Sequence, residues 1–234
     1  MQAVLFRAAF ILPMAALLGA YCGALAQRYC LEVSRGASVD GRTLAFSAWR
    51  ALAEMRQPGS LMLLSSGVLV LAALHLVLEP SLMATAGLAA CAVLLALSLI
   101  DARCGLLPDA LTLPLLWAGL LLAWAGHGVA LENAVAGAAL GYGGLRLVDT
   151  LYQFWRGHAG VGGGDMKLLA AVGAWAGWGP LPGIMLAACL GGVFFAVTAK
   201  MRGAGSASLP FGPFISIPSA GVILLGTDVQ YLFI

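Results

Sequence analysis

The sequence predicts an all-α fold, a polytopic integral membrane protein with about eight transmembrane helices. Of its 234 residues, 62% are hydrophobic and only 9% are charged, against roughly 25% charged in soluble domains. Mean hydropathy is +0.97. Apolar stretches recur from end to end, with the charges gathered between them.

A bilayer core of ~30 Å needs about 20 apolar residues per helix, and fewer when neighbouring helices bury a segment. On that basis the spans fall at residues 3–26, 61–78, 82–100, 110–125, 130–148, 166–178, 181–199 and 214–233. The first has only Arg7 before its apolar core and no small-residue cleavage site, so it reads as a retained span rather than a signal peptide. The sixth is short. Basic loops flank the sixth and seventh together, which requires an even number of crossings between them, and Gly177-Trp178-Gly179-Pro180 supplies the turn.

Orientation follows from the basic residues. With the N-terminus outside the cytoplasm, the inner segments 27–60, 101–109, 149–165 and 200–213 and the adjoining helix ends hold every Lys and Arg except Arg7. The outer turns carry Glu79, His127, Glu132 and Asp228, a positive-inside pattern. Segment 27–60 is the one sizeable polar stretch, read as a small cytoplasmic subdomain or a linker. A net charge of +2 suggests no nucleic-acid partner. The five cysteines (22, 30, 91, 104 and 189) include no CxxC pair, which indicates neither a disulfide framework nor a zinc site and casts most of them as apolar packing residues. His75 and His127 have no Cys or carboxylate at ligand spacing, so no metal is assigned. Trp117, Trp124, Trp155 and Trp178 stand near helix ends as interface anchors or packing residues.

Acids close to membrane spans are costly and are functional candidates by default. Asp101 follows an unbroken apolar run at the inner end of the third span, and Asp165 follows Gly160-Val-Gly-Gly-Gly164 at the inner end of the sixth. The topology brings both to one depth on one side, where two facing carboxylates could share a proton. Each has a plainer alternative: Asp101 as a solvated helix end, and Asp165 as an N-cap. Three consecutive glycines lose much backbone entropy on ordering, so they point beyond simple capping to close approach of another backbone. Asp109 reads chiefly as the N-cap of the fourth span, and Asp149, Arg146, Arg156 and His158 as interfacial charges.

Ile100-Asp101 through Leu107-Pro108-Asp109-Ala-Leu-Thr-Leu-Pro114-Leu-Leu-Trp117-Ala-Gly119 resembles the first signature of type IV prepilin peptidases. Gly162-Gly163-Gly164-Asp165-Met166-Lys167-Leu168-Leu169 resembles the second, the GxGD motif that this family shares with presenilin-like proteases. Leu209-Pro210-Phe211-Gly212-Pro213-Phe214 is similar to the family's motif before its last span. The resemblance covers roughly residues 95 to 225 and implies an aspartic endopeptidase with Asp101 and Asp165 as catalytic acids, and with Gly162, Gly164, Lys167 and Asp109 in support. It further implies prepilin or pseudopilin substrates of type IV pilus or type II secretion systems, cut at the cytoplasmic face of the cell inner membrane without a metal or other cofactor. Residues 61–234 would form the transmembrane peptidase domain, and 1–60 the first helix with its cytoplasmic loop.

Many family members carry paired CxxC motifs in that loop, thought to hold zinc, and N-methylate the new terminus with S-adenosylmethionine. Residues 31–60 contain no cysteine, so zinc is not expected and S-adenosylmethionine enters only if methyl transfer is retained. An ion-coupled transporter is disfavoured because the acids sit at one face and no inverted repeat is visible. A catalytically silent assembly factor would tolerate loss of both aspartates. From helix electrostatics, Asp165 at a helix N-terminus near Lys167 is expected ionised, and Asp101 at a helix C-terminus protonated.

Overall fold

The computed structural model describes residues 2–54, 65, 69–70, 73, 81–202 and 210–225. Among them the regular structure is entirely helical, in eight helices. These are α1 (Gln2–Ser34), α2 (Gly41–Glu54), α3 (Leu82–Cys104), α4 (Asp109–Trp124), α5 (Leu131–Arg156), α6 (Gly163–Ala176), α7 (Leu181–Met201) and α8 (Gly212–Leu225). By length and composition three of them can cross a membrane: the Val4–Ser34 stretch of α1, α3 and α7. Helices α4 and α8 are apolar but shorter. The expected span at 61–78 lies outside the described residues but for four helical positions.

The chain divides into two compact units, Met1–Cys104 and Gly105–Ile234. In the first, α1 packs against both α2 and α3. Helix α1 has 33 residues, about 50 Å at 1.5 Å per residue, and so exceeds a ~30 Å hydrocarbon core. The helix therefore runs on past the expected span end at residue 26, as far as Ser34. No Gly or Pro interrupts Gln27 to Arg35, and Tyr29 is buried, so the helix continues until Gly36. There a left-handed φ of 91 lets the Ala37 amide reach the Glu32 carbonyl at 3.1 Å and the Gly36 amide that of Val33 at 3.0 Å, a Schellman stop.

Helix α2 forms inside the polar stretch 27–60. Asp40 caps it, accepting the Thr43 amide at 2.8 Å. Its small face, Ala48 and Ala51, sits on Ala20, Tyr21, Ala24 and Leu25 of α1, and Arg50 reaches Glu32 at 3.2 Å.

The cysteines depart from expectation. Cys30 and Cys104 form a disulfide that ties α1 to the last turn of α3. Their 74-residue separation follows no framework spacing, which is why the sequence did not signal the pair. Cys22 and Cys91 are buried as packing residues, and Cys189 is exposed.

In the second unit α6 is the central helix, contacting α4, α5, α7 and α8. Met166 and Leu168 through Ala174 are all buried, so beyond its first turn the helix is shielded by protein on nearly every side. Its main partner is α5, whose buried positions Ala134, Gly137, Gly141, Leu145 and Asp149 recur every three or four residues, a single helical stripe. A methyl at Gly137 would overlap the Gly173 carbonyl, and one at Gly173 would overlap that of Gly137. A methyl at Gly141 would stand 2.6 Å from the Leu169 carbonyl oxygen. Small residues thus let the two backbones touch, as in membrane helix pairs. On the other flank the Trp175 indole donates to the Leu115 carbonyl at 2.8 Å and lies over Gly119.

Candidate active site

Asp101 stands in the last turn of α3, only 6% exposed. It belongs to the first unit, and the remaining candidate residues to the second. The apolar run preceding it builds the helix, and Gly105, with φ 64, ends it.

Asp165 is the third residue of α6, in its first turn. The N-cap is Gly162, whose carbonyl accepts the Asp165 amide at 3.1 Å. The glycines before it have distinct surroundings. A Cβ at Gly164 would stand 2.8 Å from that of Leu107, and one at Gly162 would stand 3.0 Å from Asp165 Oδ2. At Gly163 nothing lies within 4 Å. Gly162 therefore leaves room for the carboxylate, Gly164 lets the Leu107-Pro108 turn approach, and Gly163 opens outward.

The N-cap reading of Asp109 is overturned. The cap of α4 is Pro108 and makes no side-chain bond, while Asp109 lies inside the first turn. Its carboxylate instead takes the Lys167 ammonium on both oxygens, each at 2.7 Å. The two signature segments are thereby joined across 58 residues, and the positive charge of Lys167 is committed to Asp109.

Asp149 was read as an interfacial charge; it is in fact 1% exposed. Its Oδ1 accepts the Gly160 amide at 2.9 Å and the Val161 amide at 3.1 Å, while Gln153 donates to Oδ2. Arg146 lies 3.6 Å away. The two backbone amides are the largest influence holding its carboxyl below the usual aspartate range. Its place on the small-residue stripe of α5, with a spacing of four from Leu145, was the available sequence signal. Trp117, Trp124, Trp155 and Trp178 are all exposed, as anchors would be. Among the described residues no group of three or more His, Cys, Asp or Glu is placed to hold a metal.

The fold and site define an all-helical chain of membrane type with acids at helix termini, one of which, Asp165, follows a glycine-rich turn. The profile of the Type IV leader peptidase family matches residues 88–197, a stretch that includes Asp101, Asp109, Asp165 and Lys167. Over this segment the chain is similar to that family. A prepilin leader peptidase/N-methyltransferase of Burkholderia pseudomallei (strain K96243) is 45% identical over 171 residues, 72% of this chain and 55% of the relative. Proteins of the same name from Stutzerimonas stutzeri and Pseudomonas aeruginosa are 44% identical over 138 residues (58% of this chain, 48% of the relative) and 41% identical over 143 (60% and 49%). The chain spans about half the length of the curated relatives it matches. No solved structure matches it.

Proposed function

We propose that this chain is a prepilin leader peptidase, an aspartic endopeptidase in which Asp101 and Asp165 act as a pair. The observation that carries the reading is the family match over residues 88–197, which brackets both acids, together with the glycine-lined first turn of α6 that presents Asp165. In this reading Asp165 draws the proton from the attacking water and Asp101 donates to the scissile carbonyl. A helix N-terminus favours the first role, and a helix C-terminus the second. Asp109 and Lys167 support the site by joining the two signature segments, and Gly162 and Gly164 by leaving space around Asp165.

The substrates are prepilins or pseudopilins, whose short basic leader is removed at the cytoplasmic face of the cell inner membrane. The peptidase domain is residues 61–234, with residues 1–60 as first helix and loop. The chain crosses the bilayer about eight times with its N-terminus outside. Helices α1 and α3 run parallel, since Cys22 meets Ala92 and Cys30 meets Cys104. Cleavage uses no metal. The relatives' names join an N-methyltransferase to the peptidase, and S-adenosylmethionine would be the methyl donor if this chain shares that activity.

The test is the N-terminal mass of a co-expressed prepilin. Asp101→Asn and Asp165→Asn should each leave the leader attached while the enzyme still inserts into membrane, a loss of at least about 100-fold for removal of a general acid or base. Normal processing by either variant would overturn the pair. A methylated product terminus would establish the second activity in the same spectrum.

A further inference from the structure

We infer that Asp149 is a positioning residue for the catalytic carboxylate Asp165: its buried side chain anchors the glycine-rich turn from which Asp165 projects. The inference rests on the peptidase reading above and extends it to a residue outside both signature motifs.

Helix α5 ends at Gly157, which takes a left-handed φ of 78 and donates its amide to the Gln153 carbonyl at 2.8 Å. Helix α6 starts at Gly163. The intervening turn is rich in glycine, and glycine has the widest backbone freedom of any residue. Left to itself, such a turn would sample many positions. Asp149 restrains it from one side, since a single carboxylate oxygen receives two successive amides, Gly160 and Val161. Tyr152, one turn further along the same helix face, lies against Gly160 so closely that a Cβ there would meet its ring at 2.6 Å. The His158 ring stands edge-on to Tyr152, with centroids 5.5 Å apart.

The restrained residues lead directly to the acid. Val161 is followed by Gly162, which caps α6 and accepts the Asp165 amide. Two amides converge on one acceptor oxygen, and a polar group this deeply buried loses much if its partners leave. The carboxylate itself is fixed because Asp149 ends the stripe along which α5 and α6 touch backbone to backbone. Asp149 therefore refers the position of the turn to the seam along which α5 and α6 touch backbone to backbone. It touches no reacting atom; it sets where Asp165 stands.

The experiment compares the full-length protein in detergent with Asp149→Ala and Asp149→Asn. Asn keeps an Oδ1 acceptor for both amides while losing the charge. Two readouts are needed: deuterium exchange of the backbone from 157 to 164, with 168–176 as internal reference, and kcat and KM on a purified prepilin. Asp149→Ala should exchange the turn at least tenfold faster, with the α6 reference unchanged. It should lower kcat at least tenfold with KM within about twofold, and Asp149→Asn should stay within threefold of the parent on both readouts. Unchanged exchange in Asp149→Ala overturns the anchoring, and faster exchange with normal kcat overturns the positioning role. An Asn variant as poor as Ala overturns it too, since charge and not acceptance would then matter. If Asp149→Ala does not fold, Asp149→Ser, too short to reach both amides, takes its place. Failure of the parent protein to cut prepilin would instead reject the peptidase reading, and the exchange comparison would still decide the anchoring.

Discussion

The contact between α5 and α6 permits a paired substitution in which identical chemistry should act in opposite directions. Gly137→Ala adds a methyl group directed at the Gly173 carbonyl, with the Gly177 carbonyl carbon 2.7 Å away. Both obstacles are backbone, so no rotamer change can clear them. Relief requires the helices to part by roughly an ångström, a gap that forfeits a quarter to a half of each dispersion contact along the seam. Overpacking of this kind costs about 1–3 kcal/mol, and an immovable obstacle places it near the upper end. The gain in helix propensity, about 1 kcal/mol, offsets part of this. The net loss is about 2 kcal/mol. On the same helix, Ala at Gly143 or Gly144 meets nothing within 4 Å and should keep the propensity gain of about 1 kcal/mol. The two substitutions therefore differ by about 3 kcal/mol, roughly 6–12 °C in midpoint for a chain of this size. Thermal unfolding in detergent, followed by intrinsic tryptophan fluorescence, measures the difference. Equal midpoints for Gly137→Ala and Gly143→Ala would refute the backbone contact.

Three further outcomes are expected. Lys167→Met and Asp109→Asn should each cost no more than about 1 kcal/mol of stability, because the pair is partly exposed; a double-mutant cycle on cleavage should show their effects to be non-additive, and strict additivity would sever the link between the signature segments. Asp40 has its carboxyl held low, first by the Thr43 amide and then by the Ser38 hydroxyl. The cap's contribution is therefore present above the ordinary aspartate value of about 3.9 and is lost as pH falls through the lower folded value; exchange of the first turn of α2 should accelerate there in the parent but show no such step in Asp40→Asn. Maleimide labelling of native, unreduced protein should leave Cys22 and Cys91 largely unmodified, given their burial, and Cys30 and Cys104 should react only after reduction.

The helices from α3 to α7 were legible because apolar runs have sharp ends in the sequence. Their starts agree with expectation to within three residues, and the largest disagreement is at the end of α5, expected at 148 and found at Arg156. Counting apolar residues finds where a membrane core would stop, whereas a helix stops where its backbone is broken, here at Gly157 with φ 78. The same distinction explains the extension of α1 to Ser34. Helix α2 was missed because its apolar positions are interspersed with Arg42, Arg50 and Glu54. The candidate acids were legible as charges in unexpected places. Their partners were not, because Lys167 with Asp109, and Cys30 with Cys104, are joined by tertiary folding across distances that no local pattern encodes. Asp149 could have been found by following the stripe of Gly137, Gly141 and Leu145 one step further.

The mutual seating of Gly137 and Gly173 carries a consequence for how this unit can vary. Each backbone occupies the notch left by the other's missing side chain, so the two helices mesh like cogs and can neither slide nor roll without disengaging. The vertical offset between the end of α5 and the start of α6 is consequently fixed, and with it the span that residues 157–162 must bridge. A residue inserted into or deleted from that connection could not be absorbed by ratcheting one helix along the other. It would have to be taken up within the connection itself, directly behind Asp165.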